Sequence, residues 1–157
     1  MTDGLELPPI EYNTYIDVPP ERVYAALTTA SGWDAWFTQG SEVDARPGGY
    51  MLFRWVNFKV DRYTGESGGP VLEAESPRRF VFQWTPGDST TTIAFTLEPL
   101  GPGTVVTVKE WGHTFSEKDL EALVECAAGW GEALTLLKMY LEHGITYGQV
   151  PSPDSSA

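Results

Sequence analysis

The side chain best suited to chemistry in this sequence is a glutamate near the end of the segment "GTVVTVKEWG". Glu110 alternates with Val106 and Val108, whereas Lys109 shares the opposite face of the predicted strand with Trp111. If the valine face points inward, the carboxylate lies in an apolar interior, where it can hydrogen-bond a ligand or act as a general acid or base. If the opposite face is inward, Glu110 is an ordinary surface acid. Strand alternation alone leaves both alternatives open.

The other reactive side chains are few, and each has an ordinary structural explanation. His113 follows in "WGHTF", in a loop before a long predicted helix, where we expect exposure to solvent. His143 lies in the last turn of that helix, where a partial positive charge suits the helix dipole. Cys126 lies in mid-helix beside apolar residues, so we expect a buried and inert thiol.

The sequence contains no familiar catalytic or metal-binding motif. Its two histidines are thirty positions apart and it has one cysteine, which is not the clustered ligand spacing of a zinc site. There is no Gly-x-Ser-x-Gly motif, and the glycine-rich turns "GESGG" and "RPGG" lack the lysine of a phosphate-binding loop. We therefore expect no metal and no cofactor, and Glu110 stays the one candidate for a catalytic residue.

Aromatic residues are unusually abundant, at 13% of the chain with six tryptophans. Packing into an ordinary core explains most of them individually. Their collective excess favours a cavity for a flat or apolar ligand, because such sites are lined mainly by aromatic and aliphatic side chains. The residues predicted to line this cavity, with Glu110 as the polar anchor, are Trp36, Phe37, Phe53, Trp55, Trp84, Phe95, Glu110, Trp130 and Leu134.

The elements that must position these side chains begin with a strand over residues 10–18. Two prolines end that strand, and Pro20 can begin a helix that continues to about residue 30. A short second helix is predicted over residues 31–40, with Ser31 as its N-cap. From there to about residue 112, alternating apolar residues separated by turn signals predict a run of antiparallel strands.

A long helix follows the strands and ends the fold. Ser116 and Asp119 form a variant of the capping box, and Gly144 is a plausible C-cap. The predicted buried stripe consists of Leu123, Ala127, Trp130, Leu134, Leu137 and Leu141. This order predicts an α+β fold in which a twisted antiparallel sheet of about six or seven strands curls around the C-terminal helix.

Two glycines flank Trp130 inside this helix, and each costs about 1 kcal/mol of helix stability relative to alanine. Glycine allows a neighbouring backbone to approach closely, or leaves space that no side chain fills. Gly129 and Gly131 therefore suggest an uneven gap between helix and sheet, open enough in one place to hold a ligand.

Composition limits the class of protein. The formal charge is 10 − 22 = −12, which repels phosphate backbones and anionic lipid, so we expect neither nucleic acid nor a membrane surface as a partner. A single cysteine rules out an internal disulfide, and no signal peptide or long apolar run is evident, so a cytoplasmic location is expected. We predict one domain over residues 10–147 with flexible ends at 1–9 and 148–157.

Five segments together resemble the family of activator-of-heat-shock-protein-ATPase homologues, within the START-like helix-grip superfamily, also called SRPBCC. They read "PPERVYAALTTASGWDAWF", "ARPGGYMLFRW", "GPVLEAESPRRFVFQW", "GTVVTVKEWG" and "GWGEALTLLKMYLEHG", and the resemblance covers roughly residues 10–147. The resemblance implies a curved sheet that grips the last helix around a cavity, with Trp36 and Phe37 near its mouth.

The resemblance and the residues together favour a small soluble domain that binds a hydrophobic or aromatic small molecule. One alternative is an enzyme similar to polyketide cyclases and aromatases, with Glu110 as its acid or base. A second is a stress-related module that interacts with a chaperone, although the N-terminal domain of the eukaryotic co-chaperone has no counterpart in this sequence. A homodimer is considered because symmetric dimers are common.

Overall fold

A computed structural model describes residues 7–146. The predicted flexible ends lie outside the described residues, apart from residues 7–9. The elements in chain order are β1 (Ile10–Ile16), α1 (Pro20–Thr28), α2 (Ala30–Trp36), β2 (Glu42–Val43), β3 (Tyr50–Phe58), β4 (Tyr63–Glu75), β5 (Arg79–Trp84), β6 (Thr91–Leu100), β7 (Gly103–Trp111) and α3 (Glu117–His143).

The strands form one antiparallel seven-stranded sheet in the order β1-β7-β6-β5-β4-β3-β2. From β2 to β7 each strand pairs with the next one along the chain, as short hairpin connections favour, and β1 pairs with β7. The predicted fold class is confirmed: an antiparallel sheet is combined with a long C-terminal helix and two short helices after the first strand.

Alternation along the strands creates the inner face of the sheet. In β3, Met51, Phe53 and Trp55 are buried, while the side chain of Arg54 between them reaches Glu66 and Gly40 on the outside. The same alternation buries a second set of residues on β5, β6 and β7, namely Phe80, Phe82, Ile93, Phe95, Leu97, Val106 and Val108. This face packs against α1, α2 and α3, so the hydrophobic core lies between sheet and helices.

The buried side of α3 departs from the predicted stripe at Ala127. Trp130, Leu134, Leu137 and Leu141 are buried as predicted, but Ala127 is exposed. The partly buried Cys126 packs against the core one turn before Trp130. Cys126 is four residues, about one helical turn, before Trp130, so the two side chains lie on the same face of α3. The side chain of Ala127, one residue further along, points to solvent instead.

The helix ends show which local signals decide the boundaries. Ser116 caps α3 by accepting a hydrogen bond from the Asp119 N–H at 3.1 Å, and Gly144 ends it in the left-handed conformation at φ 69°, which confirms both predictions. The prediction for α2 was wrong at both ends. Thr29 rather than Ser31 is its N-cap, accepting from the Gly32 N–H at 3.0 Å, and the helix ends at Trp36.

The glycines beside Trp130 do not make room for a neighbouring backbone. A Cβ built on Gly129 would meet nothing within 4 Å, and one on Gly131 would meet only the ring of Tyr12, at 4.0 Å. The close-approach explanation of these glycines is therefore wrong. Within residues 7–146, no helix combines the length and hydropathy that a membrane span requires.

Candidate functional site

Glu110 lies on the inner face of the sheet and is fully buried. Val106 and Val108 are also 0% exposed, so the valine face of β7 is the inward one. The pairing registers place Glu110 between Ile10 of β1 and Ile93 of β6. A polar group in such surroundings is tolerated only if its hydrogen bonds are satisfied.

Three protein donors satisfy the carboxylate. The indole N–H of Trp84 and the hydroxyl of Thr91 donate to Oε2 at 2.8 and 2.6 Å, and the indole N–H of Trp130 donates to Oε1 at 2.8 Å. The thiol of Cys126 lies within 4.8 Å of this carboxylate. Glu110 thus joins β5, β6 and α3 to β7 through one polar centre inside the core.

His113 lies beside this centre, and its predicted solvent exposure is wrong. Its side chain is only 2% exposed, and its Nε2 lies 3.8 Å from Glu110 Oε2, too far for a hydrogen bond. This nitrogen is buried without a hydrogen-bond partner. The next residue explains the burial, because Thr114 donates through its N–H and its hydroxyl to Asp119 at 2.7 and 2.6 Å and so fixes the loop against α3.

Cys126 completes a cluster that spacing along the sequence did not reveal. One ligand atom each from Glu110, His113 and Cys126 can be chosen so that all three lie within 4.8 Å of one another. Burial, followed by the nearby Glu110 carboxylate, raises the pKa of the Cys126 thiol. The thiol is therefore held protonated at neutral pH, in agreement with the inert cysteine that the sequence predicts.

The six tryptophans differ in how their indole N–H groups are satisfied. Trp84 and Trp130 donate to Glu110, Trp33 donates to the carbonyl of Leu27 at 2.6 Å, and Trp111 is on the exposed outer face. The indole nitrogens of Trp36 and Trp55 are buried and have no hydrogen-bond partner. Each such donor costs about 1–3 kcal/mol when left unsatisfied.

A small hollow is lined in part by Trp55, whose indole nitrogen is one of these unsatisfied donors. It has a volume of about 40 Å³, and its lining includes Phe37, Trp55, Phe58 and Asp34. The Phe37 ring lies between two indoles: its centroid is 5.4 Å from that of Trp36 and 5.6 Å from that of Trp55. The polar wall is already occupied, because the Asp34 carboxylate accepts hydrogen bonds from Thr38 and Ser41 at 2.7–3.0 Å.

The residues predicted to line a cavity all lie in or against the core. Trp36, Phe53, Phe95 and Leu134 are 0% exposed, Trp130 and Trp55 are buried, and Phe37 and Trp84 are partly buried. Around Trp130 their rings are in contact, with centroids 5.6 Å from Phe95 and 6.0 Å from Trp84. Side chains therefore fill the helix–sheet seam at Trp130, and the hollow lies at the Phe37 end.

Comparison with known proteins identifies the family. The model of the family described as Activator of Hsp90 ATPase homolog 1-like protein matches residues 17–142. The chain belongs to this family. No functionally curated protein matches the chain significantly.

Solved structures agree with this membership in the Activator of Hsp90 ATPase homolog 1-like family. Protein SSP2350 from Staphylococcus saprophyticus is 26% identical, with a TM-score of 0.72 over 91% of this chain and 98% of its own. The Aha1 dimer from Colwellia psychrerythraea is 25% identical, with a TM-score of 0.71 over 88% and 98%. DynU16, a protein in the dynemicin biosynthetic locus, is 18% identical and shares the fold, with a TM-score of 0.73 over 88% of this chain and 49% of its own.

This member of the family also carries an open groove on the outer face of its sheet. The groove has a volume of about 870 Å³, and its lining includes Arg79, Lys109, Trp111, His113 and Phe115. Trp111 and Phe115 are 39% and 43% exposed. His113 contributes to this lining although its side chain is only 2% exposed.

Proposed function

We propose that this protein binds a flat, largely apolar small molecule that carries hydrogen-bond acceptors, between the sheet and the helices at the Phe37 end of the core. The observation that carries the proposal is the pair of buried, unsatisfied indole donors, Trp36 and Trp55, around the Phe37 ring. Family membership and the shared fold of a protein from a biosynthetic locus also support small-molecule binding. A carbonyl or ether oxygen of a ligand would satisfy these donors.

Binding requires this end of the core to open. The hollow of about 40 Å³ is far smaller than the roughly 300–1,000 Å³ of ordinary ligand sites. The neighbouring β3–β4 hairpin is the element that we expect to move, and its backbone is strained, since Asn57, Lys59 and Arg62 have positive φ angles of 51–64° that are uncommon for residues other than glycine. One exposed ion pair, Lys59 with Glu132 at 3.7 Å, connects the hairpin to α3 and is weak enough to break.

Of the predicted site residues, we assign the wall of the opened pocket to Trp36, Phe37, Phe53 and Trp55. We assign the polar anchor to the two indole donors rather than to Glu110, because protein donors already occupy both carboxylate oxygens. The same occupancy argues against the cyclase-like alternative, since an acid or base must reach the proton that it transfers.

Replacing indole by phenyl tests the anchor, because it removes the N–H and keeps an aromatic ring. We expect Trp55→Phe and Trp36→Phe to weaken binding of an acceptor-bearing ligand by about 2- to 10-fold, the value of one hydrogen bond. Neither variant should lose stability from its missing hydrogen bond, since the donor is unpaired in the free protein. Tryptophan fluorescence titration with a panel of flat aromatic ketones, phenols and hydrocarbons measures the affinities.

Trp130→Phe is the matched control. The indole N–H of Trp130 donates a hydrogen bond to Glu110, so we expect its removal to lower the free energy of unfolding by about 1–3 kcal/mol. If the ketones and hydrocarbons bind equally well and Trp55→Phe changes neither, the anchor is refuted. Native mass spectrometry of protein purified from its own host identifies a retained molecule directly. Failure of every probe and of that experiment would contradict ligand binding.

We also infer a homodimer, supported by the dimer formed by the Colwellia relative. Sedimentation velocity at several protein concentrations measures it. The chaperone-linked alternative is tested separately, by whether the chain changes the turnover of an Hsp90 ATPase.

A further inference from the structure

We propose that Glu110, His113 and Cys126 form a buried site for one thiophilic divalent cation such as Zn²⁺. The three residues come from the end of β7, from the loop after it and from α3. Thiolate, imidazole and carboxylate are the ligand types that zinc prefers in proteins. This site is distinct from the ligand pocket proposed at Phe37, and neither depends on the other.

The unsatisfied imidazole is the observation that points to a ligand. His113 Nε2 is buried, faces the carboxylate and has no hydrogen-bond partner. A neutral imidazole nitrogen with a free lone pair is the commonest metal ligand in proteins. A cation between His113, Glu110 and Cys126 would bond to this nitrogen and so remove the cost of burying it without a partner.

The spacing of the three donors is close to what a metal needs. The chosen ligand atoms lie within 4.8 Å of one another, and His113 Nε2 is 3.8 Å from Glu110 Oε2. Zinc bond lengths of about 2.0–2.3 Å in tetrahedral geometry place ligand atoms about 3.3–3.7 Å apart. The widest separation must therefore close by about 1.1–1.5 Å, and rotation of the Cys126 and His113 side chains can supply this while Glu110 keeps its hydrogen bonds.

Charge and protons also balance at this site. The Cys126 thiol loses its proton to solvent as the metal–sulfur bond forms. Trp84 and Thr91 both donate to Oε2, whereas Oε1 accepts only from Trp130, so Oε1 keeps one lone pair for the metal while all three hydrogen bonds remain. One thiolate and one carboxylate neutralise a 2+ cation.

Cobalt titration of the full, tag-free chain after treatment with a chelator tests the proposal. Thiolate-bound tetrahedral Co²⁺ gives a sulfur-to-metal charge-transfer band and intense visible bands. The sequence has one cysteine, so any such band comes from Cys126. We expect one Co²⁺ per chain, displacement by Zn²⁺ and release of one proton per ion in weak buffer. Cys126→Ser and His113→Ala should each weaken binding by more than about 100-fold, beyond the effect of an outer-shell partner.

His143→Ala is the matched control, because His143 is the other histidine of the chain and its side chain is 58% exposed at the far end of α3. It should leave the cobalt spectrum unchanged. Thermal unfolding in excess chelator shows whether each variant folds, and Cys126→Ala provides a second variant if Cys126→Ser does not. The site would be overturned if the folded wild type gave no charge-transfer band at millimolar Co²⁺. It would also be overturned if His113→Ala and His143→Ala had equal effects on cobalt binding.

Discussion

At the scale of single residues, the most heavily used carboxylate is Asp119 rather than Glu110. It is fully buried in the first turn of α3. Its Oδ1 accepts the N–H groups of Asp88 and Ser89 at 2.7 and 3.1 Å, and its Oδ2 accepts both donors of Thr114. The β5–β6 turn and the loop that carries His113 are therefore both fixed by one side chain.

This arrangement predicts acid sensitivity. Burial disfavours the charged form of Asp119, but hydrogen bonds from Thr114 and Ser89 outweigh it and lower the pKa well below its usual value. Because the folded pKa lies below the unfolded value of about 3.9, the stabilisation is complete above that pH and is lost as the pH falls toward the folded pKa. Urea unfolding from pH 7 to pH 2 should show this loss in the free energy of unfolding.

Asp119→Asn tests the origin of that loss. An amide has one acceptor oxygen and cannot accept all four donors, so we expect a loss of about 1–3 kcal/mol at pH 7 and a weaker dependence on pH below 4. Glu117→Gln is the control, since Glu117 is exposed in the same helical turn. An equal effect of the two substitutions would show that the helix dipole, and not the hydrogen-bonded centre, is responsible.

Sequence reasoning at this scale succeeded where a periodic pattern existed. Strand alternation grouped Glu110 with Val106 and Val108, and only the inward direction was left to be determined. It failed for His113, because the burial of a loop side chain depends on Asp119, which contacts the loop only in the folded protein. The Ser-x-x-Asp cap marked Asp119 as a helix-start residue but carried no signal for the two loops that it binds.

At the scale of elements, the glycines of α3 should be replaceable. A methyl group on Gly129 meets nothing within 4 Å, so alanine gains helix propensity without a clash. We expect Gly129→Ala to raise the free energy of unfolding by about 0.5–1 kcal/mol. Chemical denaturation measures this change. If Gly129→Ala destabilises the free protein, the backbone there must depart from the regular helix that we describe.

Gly32 in α2 gives the opposite expectation. A Cβ at this position would lie 2.6 Å from the carbonyl oxygen and 2.7 Å from the Cα of Ala26, both backbone atoms that cannot move away alone. We expect Gly32→Ala to lower the free energy of unfolding by about 1–3 kcal/mol. Because α2 carries Trp33 and Trp36, its fluorescence spectrum should also shift. An unchanged stability would show that the α1–α2 junction is loosely packed.

The elements themselves could be predicted because their signals are local. Strand alternation, turn residues and helix caps recovered the order of helices and strands and both ends of α3. The errors, Ser31 as a cap and Ala127 on the buried stripe, arise where neighbouring residues offer similar signals and packing decides between them. Gly32 lies close to the Ala26 backbone at the α1–α2 junction, and its N–H donates to the Thr29 cap.

At the scale of the whole molecule, the dominant feature is a formal charge of −12. Any two copies of the chain repel each other at long range, and dissolved salt screens this repulsion with a Debye length of about 10 Å at 0.1 M. The proposed homodimer must therefore form against electrostatic repulsion, through apolar and hydrogen-bonded contacts that salt affects little.

We accordingly expect salt to strengthen self-association. Sedimentation equilibrium at about 20 and 300 mM NaCl should show a dimer dissociation constant that decreases as salt is added, because screening weakens the repulsion between two chains of charge −12 each. The stability of each folded chain, followed by circular dichroism in the same buffers, separates this effect from stabilisation of the monomer. A dissociation constant that increases with salt would mean that opposite charges meet across the interface, and a monomer at every concentration and salt would refute the dimer itself.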